Sequence, residues 1–210
     1  MPKFPEPPRP GELAKRTRPD IKVVPKGTLI WRLYCRGGDH PTDWNSFRHW
    51  GPIRNMRFDH HTDPPRLQGR GIIYGALRVY TCFAETFQAT RTIERSRNDP
   101  WLACFRLEQA VSSLDLTGTW PTKAGASMAI SSGRRDRARA WSRRIYEDYT
   151  QVDGLYYPSS MDGNQPAVVL YERAANTFPN RPLFHRALAE GGLNHAVFKA
   201  ALLFNYAVEP

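Results

Sequence analysis

The side chains of this sequence that are suited to chemistry are dispersed, and they are of four kinds: arginine, tyrosine, one acid and one serine. They are Arg32, Tyr34, Arg57, Tyr74, Glu85, Tyr157 and Ser159. Guanidinium groups bind phosphate and carboxylate oxygens in a fixed fork, and tyrosine rings stack on planar ligands. Residues of these types predict an anion-binding cleft that contains one carboxylate.

Several common catalytic motifs do not occur in the sequence. There is no glycine-rich phosphate loop between a strand and a helix, no Gly-x-Ser-x-Gly elbow and no His-Glu-x-x-His pair. His60 and His61 are adjacent, but no third ligand stands at a diagnostic spacing, so no metal site is predicted. No histidine is evidently placed to activate Ser159, which therefore is not predicted to be a nucleophile.

Glu85 belongs to a stretch, Gly71 to Gln88, that is predicted to form a strand followed by a helix. The apolar run Ile72 to Tyr74 is typical of a buried strand, and Gly75 is expected to end it. From Val79 apolar residues recur at helical spacing, at Tyr80, Phe83 and Phe87. Glu85 lies just off this stripe, where a carboxylate needs a partner, and the first candidate is Arg32.

Arg32 itself belongs to a predicted strand from Thr28 to Arg36. Alternation places Leu29, Trp31, Leu33 and Cys35 on one face, which is expected to be core. The other face carries Ile30, Arg32, Tyr34 and Arg36, so that arginines share a wall with a tyrosine ring. An exposed basic face is the alternative interpretation of the second set.

The remaining elements follow from the same patterns. Strands are predicted at 101–107, 111–116, 155–160 and 165–171, and a helix is predicted from a cap at Ser131–Gly133 to about Tyr149. The long loop 37–70 contains aromatic residues that indicate packing. A short helical piece within 182–206 is expected to end near Gly191. These elements predict an α+β fold with a compact mixed β-sheet core flanked by helices.

The composition indicates one domain with an N-terminal arm. The chain has 210 residues, 40% of them hydrophobic, and a formal net charge of +10. Residues 1–26 are basic and rich in proline, so they are predicted to be an extended or wrapped arm, with the catalytic domain at 27–210. Cys35, Cys82 and Cys104 are expected to be free thiols in a reducing cytoplasm. No membrane segment or signal peptide is predicted.

The arginine-rich helix 134–144 supports a hypothesis of another class. Its basic face could bind nucleic acid, although a solvated helix face is the more common structure for such a run. A basic surface favours anionic partners without choosing among nucleic acid, phosphates and an acidic protein.

An ordered set of short motifs resembles the RES domain family. The motifs are Ile30–Tyr34, Arg57–Phe58, Ile73–Ala76, Ala84–Thr86, Leu114–Gly118, Tyr157–Ser159 and Ala167–Leu170. The resemblance runs from about Gly27 to the C-terminus. It implies a fold like that of ADP-ribosyltransferases. It also implies a toxin of a type II toxin–antitoxin system, whose partner is an Xre-like helix-turn-helix antitoxin that would supply any contact with DNA. The resemblance does not exclude a homo-oligomer.

The activity implied by the resemblance is destruction of NAD by hydrolysis or phosphorolysis of its nicotinamide–ribose bond. The implied catalytic residues are Arg32, Glu85 and Ser159, and Arg32, Tyr34, Arg57, Tyr74 and Tyr157 are expected to bind NAD. NAD is then a substrate, with inorganic phosphate as a candidate co-substrate, and no resident cofactor is predicted. Protein mono-ADP-ribosylation is the alternative within the same chemistry. The oxocarbenium-like transition state of such a cleavage requires a nearby carboxylate, which Glu85 could supply.

Overall fold

A mixed β-sheet of nine strands forms the centre of residues 4–210, the part of the chain that the computed structural model describes. The strands are β1 (Ile21–Val24), β2 (Leu29–Cys35), β3 (Arg48–Gly51), β4 (Arg66–Ala76), β5 (Thr92–Glu94), β6 (Pro100–Arg106), β7 (Val111–Asp115), β8 (Gly154–Pro158), β9 (Pro166–Tyr171), β10 (Phe184–Ala187) and β11 (Ala207–Glu209). The helices are α1 (Leu13–Arg16), α2 (Val79–Thr86), α3 (Trp120–Lys123), α4 (Ala129–Ser132), α5 (Arg135–Asp148) and α6 (Asn194–Phe204). Short 3₁₀ turns lie at Glu172–Thr177 and Gly191–Leu193.

The main sheet is mixed and mostly antiparallel, as is usual in an α+β fold. The sheet runs β1-β7-β8-β9-β4-β2-β6-β10, with β3 paired to β4, while β5 and β11 form a separate small ladder. Within the main sheet β7 and β8 are parallel, and the other pairs are antiparallel. The crossover from β7 to β8 contains α3, α4 and α5, as a parallel pair requires. The predicted mixed sheet flanked by helices is confirmed.

The two faces of β2 differ from the sequence prediction. Leu29, which was assigned to the core face, is exposed, whereas Ile30, Arg32 and Tyr34 on the opposite face are buried. The reason is that Ile30 and Tyr34 pack in a cluster with Trp44 and Phe105. The face that begins with Leu29 is only partly buried. The interpretation of Arg32 as an exposed surface arginine is therefore wrong.

Gly75 does not end the strand as predicted, because β4 continues through it to Ala76. A Cβ atom at this position would lie 2.7 Å from Ile30 Cγ2 and 3.0 Å from the Trp31 carbonyl oxygen. The glycine therefore permits the close approach of β4 to β2, with which β4 pairs at Ala76. This approach brings the end of β4, and the start of α2 just after it, against the strand that carries Arg32.

The predicted helix at Val79 is present as α2, and its apolar stripe is buried as expected. Phe83 is fully buried and Phe87 nearly so, and both pack in a cluster with Leu193 and Val197. The C-terminal region differs from its prediction, because the helical piece follows the glycines at 191–192 instead of preceding them. Residues 184–187 form β10, which pairs with β6.

The proline-rich arm is wrapped on the surface, as predicted, but it is not free of regular structure. Strand β1 pairs with β7, so regular structure begins before Gly27. The backbone amides of Gly11 and Leu13 each donate a 2.9 Å hydrogen bond to the Asp148 carboxylate at the end of α5. The division of the chain at residue 26 stays a prediction, although part of the arm belongs to the sheet.

Helix α5 buries Ala138, Trp141 and Ile145 as predicted, and it begins at Arg135 without a side-chain cap from Ser131 or Ser132. Most of its arginines bind the chain's own carbonyl oxygens: Arg137 donates to Phe4, Arg143 to His61 and Arg144 to Pro8. The basic face is therefore covered at Arg137, Arg143 and Arg144, whereas Arg134 at the start of the run is exposed. The nucleic-acid hypothesis stays a prediction. Within residues 4–210, no helix has the length and apolarity that crossing a membrane requires.

Candidate active site

A cavity of about 380 Å³ opens beside β2, β4 and α2, and we call it the cleft. Six of the seven predicted site residues line it: Arg32, Tyr34, Arg57, Tyr74, Glu85 and Tyr157. Ser159 does not line the cleft, because it is fully buried behind Glu85. Residues from four elements and the loop before β4 therefore meet at one site, although the role of each remains a prediction.

Glu85 is held by Ser159. The Ser159 hydroxyl donates a 2.5 Å hydrogen bond to Glu85 Oε1. The same oxygen atom of Ser159 accepts hydrogen bonds from the backbone amides of Met161 and Asp162, both at 3.2 Å. Because both amides donate to this oxygen, the single hydroxyl proton is directed at the carboxylate. Ser159 is thus placed to orient Glu85 and not to contact a ligand in the cleft.

The charge state of Glu85 is set by opposing effects. Burial raises the pKa of Glu85 above its usual value, whereas the Ser159 hydrogen bond and the positive charge of Arg57 lower it. Gln88, one helical turn further along, donates to Glu85 Oε2 at 3.4 Å. Among the described residues Glu85 forms no ion pair, so its charge is only partly compensated.

The expected pairing of Arg32 with Glu85 is wrong. Arg32 Nη2 donates to the Ser46 carbonyl oxygen at 3.3 Å, and its Nη1 is buried without a hydrogen-bond acceptor in the described chain. The side chain leaves from β2 towards the loop before β3, and so both groups line the cleft without meeting. Burial lowers the pKa of Arg32 to about 10, so the guanidinium is charged at neutral pH.

A buried guanidinium that lines a cavity and has one free donor suits an anionic ligand. Guanidinium nitrogens bind phosphate oxygens in parallel pairs, and burial strengthens such contacts. The Arg32 guanidinium carbon lies 5.6 Å from the centre of the Tyr34 ring, so the predicted wall of arginine and tyrosine is present.

The three tyrosines of the cleft are neutral aromatic walls. Burial raises the pKa of Tyr34 to about 12, and it raises the pKa of Tyr74 and Tyr157 as well. The Tyr34 hydroxyl donates to Asp43 at 3.0 Å and also contacts His185. The Tyr74 hydroxyl accepts from the Phe58 amide at 3.1 Å. Both hydroxyls therefore tie the long loop before β4 to the sheet.

Arg57 lies at the edge of the cleft and is fixed by the segment before α5. Its Nη1 donates a 2.6 Å hydrogen bond to the Gly133 carbonyl oxygen. Burial lowers the pKa of Arg57, and so does the neighbouring positive charge of Arg135, while Glu85 has the opposite effect. A second anion-binding donor is thus available on the side of the cleft nearest Glu85.

The histidine pair, His60 and His61, is fully buried in the long loop, between β3 and β4. His61 Nδ1 is 2.5 Å from Asp59 Oδ1, and Asp59 also accepts from Arg48 Nη2 at 2.9 Å. The His60 ring stacks on Tyr146 at 4.2 Å between centres, and burial lowers the pKa of His60 well below its usual value. No group of three or more His, Cys, Asp or Glu side chains within residues 4–210 could hold a metal ion.

The residues that line the cleft but were missed by the sequence prediction include Arg48, Gln88 and Arg135. Gln88 could have been found, because it lies three residues after Glu85 on the helical spacing that brings side chains together. No sequence signal places Arg135 here, since it reaches Gln88 Oε1 at 2.8 Å from a helix 47 positions away.

The fold and the cleft together define an α+β protein whose mixed sheet is flanked by helices, with arginines, tyrosines and one acid around its cavity. The model of the RES domain family matches residues 29–188, well over half of the chain. This chain belongs to the RES domain family, and the resemblance found in the sequence is confirmed.

One solved structure similar to this chain is that of the M. tuberculosis MbcT–MbcA toxin–antitoxin complex. The match has a TM-score of 0.52 and 16% sequence identity, and covers 78% of this chain and 85% of the other. At that identity the similarity concerns the fold. A comparison with curated protein sequences finds no match.

Proposed function

We propose that this chain is a toxin that degrades NAD by cleaving the bond between nicotinamide and ribose. The observation that carries the proposal is that Arg32 and Glu85 line one cavity, with Glu85 oriented by Ser159. Membership of the RES domain family supports it, as does the fold shared with a chain of a toxin–antitoxin complex.

The cleft offers what a dinucleotide with a pyrophosphate needs. Arg32 has a free buried donor and Arg57 lies across the cleft edge, so the two guanidinium groups can bind pyrophosphate oxygens. Tyr34 and Tyr74 supply neutral aromatic faces for the nicotinamide ring. Under this proposal the reacting ribose lies beside Glu85.

Glu85 then acts on the transition state. As the carbon–nitrogen bond breaks, nicotinamide leaves with the electron pair and positive charge develops on the ribose. A carboxylate whose charge is only partly compensated can stabilise that positive charge, and one such electrostatic contact is worth on the order of a hundredfold in rate. Water, or a phosphate oxygen, forms the new bond to the ribose carbon; in hydrolysis the displaced proton goes to solvent.

A nicotinamide-release assay tests the activity. Purified protein is incubated with NAD, with and without inorganic phosphate, and the products are separated. We expect free nicotinamide, and Glu85→Gln is expected to reduce its release by at least about a hundredfold. The matched control is Glu108→Gln, which changes an exposed glutamate on the loop between β6 and β7 and should keep full activity.

The second product of the reaction shows whether water, phosphate or a protein accepts the ADP-ribosyl group. Hydrolysis yields ADP-ribose, phosphorolysis yields ADP-ribose carrying an additional phosphate, and label on a protein identifies the transferase instead. Unchanged turnover by Glu85→Gln would remove Glu85 from the mechanism, and the absence of nicotinamide release under all conditions would end the proposal.

An antitoxin partner forms the second part of the proposal. The family resemblance implies an Xre-like helix-turn-helix protein, and the solved structure with a similar fold is that of a toxin–antitoxin complex. Expression of this chain alone should lower cellular NAD and stop growth. Co-expression of such a protein encoded beside its gene should restore both, and a stable complex of the two should be recovered by affinity purification.

A further inference from the structure

A second hollow, of about 620 Å³, lies beside the cleft, and five of its lining residues are arginines. We call this hollow the arginine basin; its arginines are Arg54, Arg57, Arg134, Arg135 and Arg139. Arg57, Gln88 and Arg135 line both the basin and the cleft. The two spaces are therefore adjacent, with Arg57 and Arg135 between them.

The positive charge of the arginine basin exceeds the negative charge of its lining residues. Asp136 is the single acidic residue among those lining it, and it binds Arg134 at 2.5 Å. Three other arginines donate to neutral oxygen atoms: Arg57 to Gly133, Arg135 to Gln88 and Arg139 to Arg54. The N-terminus of α5 adds a partial positive charge at the same place.

Repulsion within this cluster is visible at Arg57. Burial lowers the pKa of Arg57, and the adjacent charge of Arg135 lowers it further. Like charges held together in a protein are destabilising unless an opposite charge reaches them. A bound anion would relieve the repulsion, which makes the basin suited to a strongly charged group.

The charges of NAD do not require this basin. Its pyrophosphate carries the negative charge of the molecule, for which Arg32 and Arg57 suffice, and its adenosine is neutral. A phosphate monoester adds roughly 1.5 to 2 negative charges and three acceptor oxygens. Arg54, Arg134 and Arg139 lie outside the cleft. Arg54 and Arg139 have no carboxylate partner among the described residues, and Arg134 binds Asp136 through Nε and Nη2, which leaves its Nη1 for such a group.

The sizes of the two spaces agree with this division. Ligand pockets usually measure roughly 300–1,000 Å³, and the cleft, at about 380 Å³, is near the lower limit. A dinucleotide with its nicotinamide end in the cleft therefore extends beyond it. The arginine basin is the adjoining space on the Glu85 side, reached past Gln88 and Arg57.

We propose that the arginine basin binds a phosphate monoester on the adenosine side of the substrate, so that the enzyme prefers NADP to NAD. This inference rests on the proposed function and extends it to the choice of substrate. The 2′-phosphate of NADP lies at the end of the molecule opposite to nicotinamide. Its contacts with Arg54 and Arg134 are formed outside the cleft and leave the reacting bond at Glu85 unchanged.

Nicotinamide release from NADP and from NAD, compared at low ionic strength, is the first test. We expect kcat/KM to be on the order of tenfold higher for NADP, since charge-assisted hydrogen bonds have about that strength. Arg54→Gln and Arg134→Gln should each remove most of this preference and leave NAD cleavage unchanged. The matched control is Arg97→Gln, an exposed arginine paired with Glu94 outside the basin, which should retain the preference.

A binding measurement gives a readout that does not need catalysis. Calorimetric titration with adenosine 2′,5′-bisphosphate should give a dissociation constant about tenfold lower than titration with 5′-AMP. The difference should disappear in Arg134→Gln, and it should shrink as salt is raised. If neither dinucleotide is cleaved but this difference is found, the proposed reaction fails while the basin assignment stands.

Three results would overturn the inference. The first is equal kcat/KM for the two dinucleotides together with equal binding of the two adenosine phosphates. The second is a loss of NAD and NADP cleavage to the same extent in Arg54→Gln and Arg134→Gln. The third is that these variants instead lose a stimulation of NAD cleavage by inorganic phosphate, because the basin would then hold the acceptor and not the substrate's own phosphate.

Discussion

Ser159 and Glu85, 74 positions apart in the sequence, are joined by a hydrogen bond of 2.5 Å in which the serine is the donor. The serine lies just after β8 and the glutamate near the end of α2. Two backbone amides fix the serine oxygen from the other side. The position of the cleft's carboxylate therefore depends on how β8 ends.

Ser159→Ala should reduce activity and move its pH dependence. The Ser159 hydrogen bond lowers the pKa of Glu85, so its loss raises that pKa further. Activity that needs the ionised carboxylate should then fall off at a higher pH on the acid side than in the wild type. We expect a loss on the order of ten- to a hundredfold at neutral pH, because hydrogen bonds to charged groups contribute about 1.5–3 kcal/mol.

The control for that variant is Ser113→Ala. Ser113 is as buried as Ser159, but its hydroxyl has no hydrogen-bond partner among the described residues. This change should leave the pH–rate profile in place. A profile for Ser159→Ala that is lower but not shifted would show that the serine stabilises the fold without setting the charge of Glu85.

Glu85→Gln should stabilise the fold in a pH-dependent way. Because burial raises the pKa of Glu85 in the folded state, its contribution to stability is full below the unfolded-state value and is lost as pH rises through the folded-state value. The variant cannot ionise at this position, so it does not lose this stability as pH rises. Its amide oxygen can still accept the hydrogen bond from Ser159. Its melting temperature should exceed that of the wild type at pH 7.5 and approach it near pH 4.

Thermal melts of both proteins across that pH range test this prediction. The exposed Glu108→Gln serves as the control and should show no such difference. A melting temperature for Glu85→Gln that lies below the wild-type value at every pH would contradict the prediction.

Arg32 and Arg48 give a matched pair of substitutions with opposite expected effects. Both line the cleft, but Arg32 has no carboxylate partner in the described chain, whereas Arg48 binds the fully buried Asp59 at 2.9 Å. Arg32→Met should raise the melting temperature, since a buried unpaired charge is replaced by an apolar side chain. A gain of about 1 kcal/mol corresponds to roughly 2–4 °C for a chain of this size.

Arg48→Met should do the reverse and destabilise the protein by about 3–5 kcal/mol, because it leaves Asp59 buried without its cation. Differential scanning calorimetry compares the two variants, and nicotinamide release is measured alongside. Arg32→Met should also lose activity. Destabilisation by Arg32→Met would mean that Arg32 supports the fold and is not held ready for a ligand.

Asp59→Asn should destabilise the protein by weakening the contacts of Asp59 with His61 and Arg48 in the long loop. Although burial opposes it, the hydrogen bond from His61 and the charge of Arg48 lower the pKa of Asp59. Its stabilisation is therefore full above the usual aspartate pKa of 3.8 and is lost progressively as pH falls from that value through the lower folded-state pKa. We expect a loss of about 3–5 kcal/mol at pH 7, as for removal of one member of a buried ion pair.

Urea denaturation at pH 7 and at pH 3 measures this effect. The difference between Asp59→Asn and the wild type should be smaller at pH 3, where the aspartate of the unfolded chain is largely protonated and part of this stabilisation is lost. Asp39→Asn, at an exposed position of the same loop, should behave like the wild type. An equal difference at both pH values would show that the effect does not come from the charge.

Local patterns predicted the elements that carry the site. The strand–helix unit around Glu85 and the strands at β6, β7, β8 and β9 follow from periodicity that the folded chain preserves. That Arg32, Tyr34 and Glu85 form one cleft was predicted from their residue types, and the family resemblance supplied their order and expected roles. Periodicity alone gives no information on which distant strands become neighbours.

The errors came where long-range packing overrides a local signal. Gly75 was expected to break the strand, but it is needed inside β4 because β2 passes too close for a side chain. The arginines of α5 suggested a charged surface, yet the arm and the loop before β4 supply carbonyl oxygens to them. Arg32 was assigned to Glu85 because opposite charges attract, whereas the backbone directs it to Ser46.

The wrapped arm has a consequence for the order of events during translation. Residues 11 and 13 are bound by Asp148, β1 is paired with 111–114, and the hydroxyl of Tyr149 donates to the Thr17 carbonyl oxygen. A growing polypeptide leaves the ribosome with its beginning first, so this segment stays undocked until residue 149 has emerged. Ser159, which orients Glu85, is made ten residues later still. Nascent chains stopped before that point should therefore be harmless to the cell that makes them.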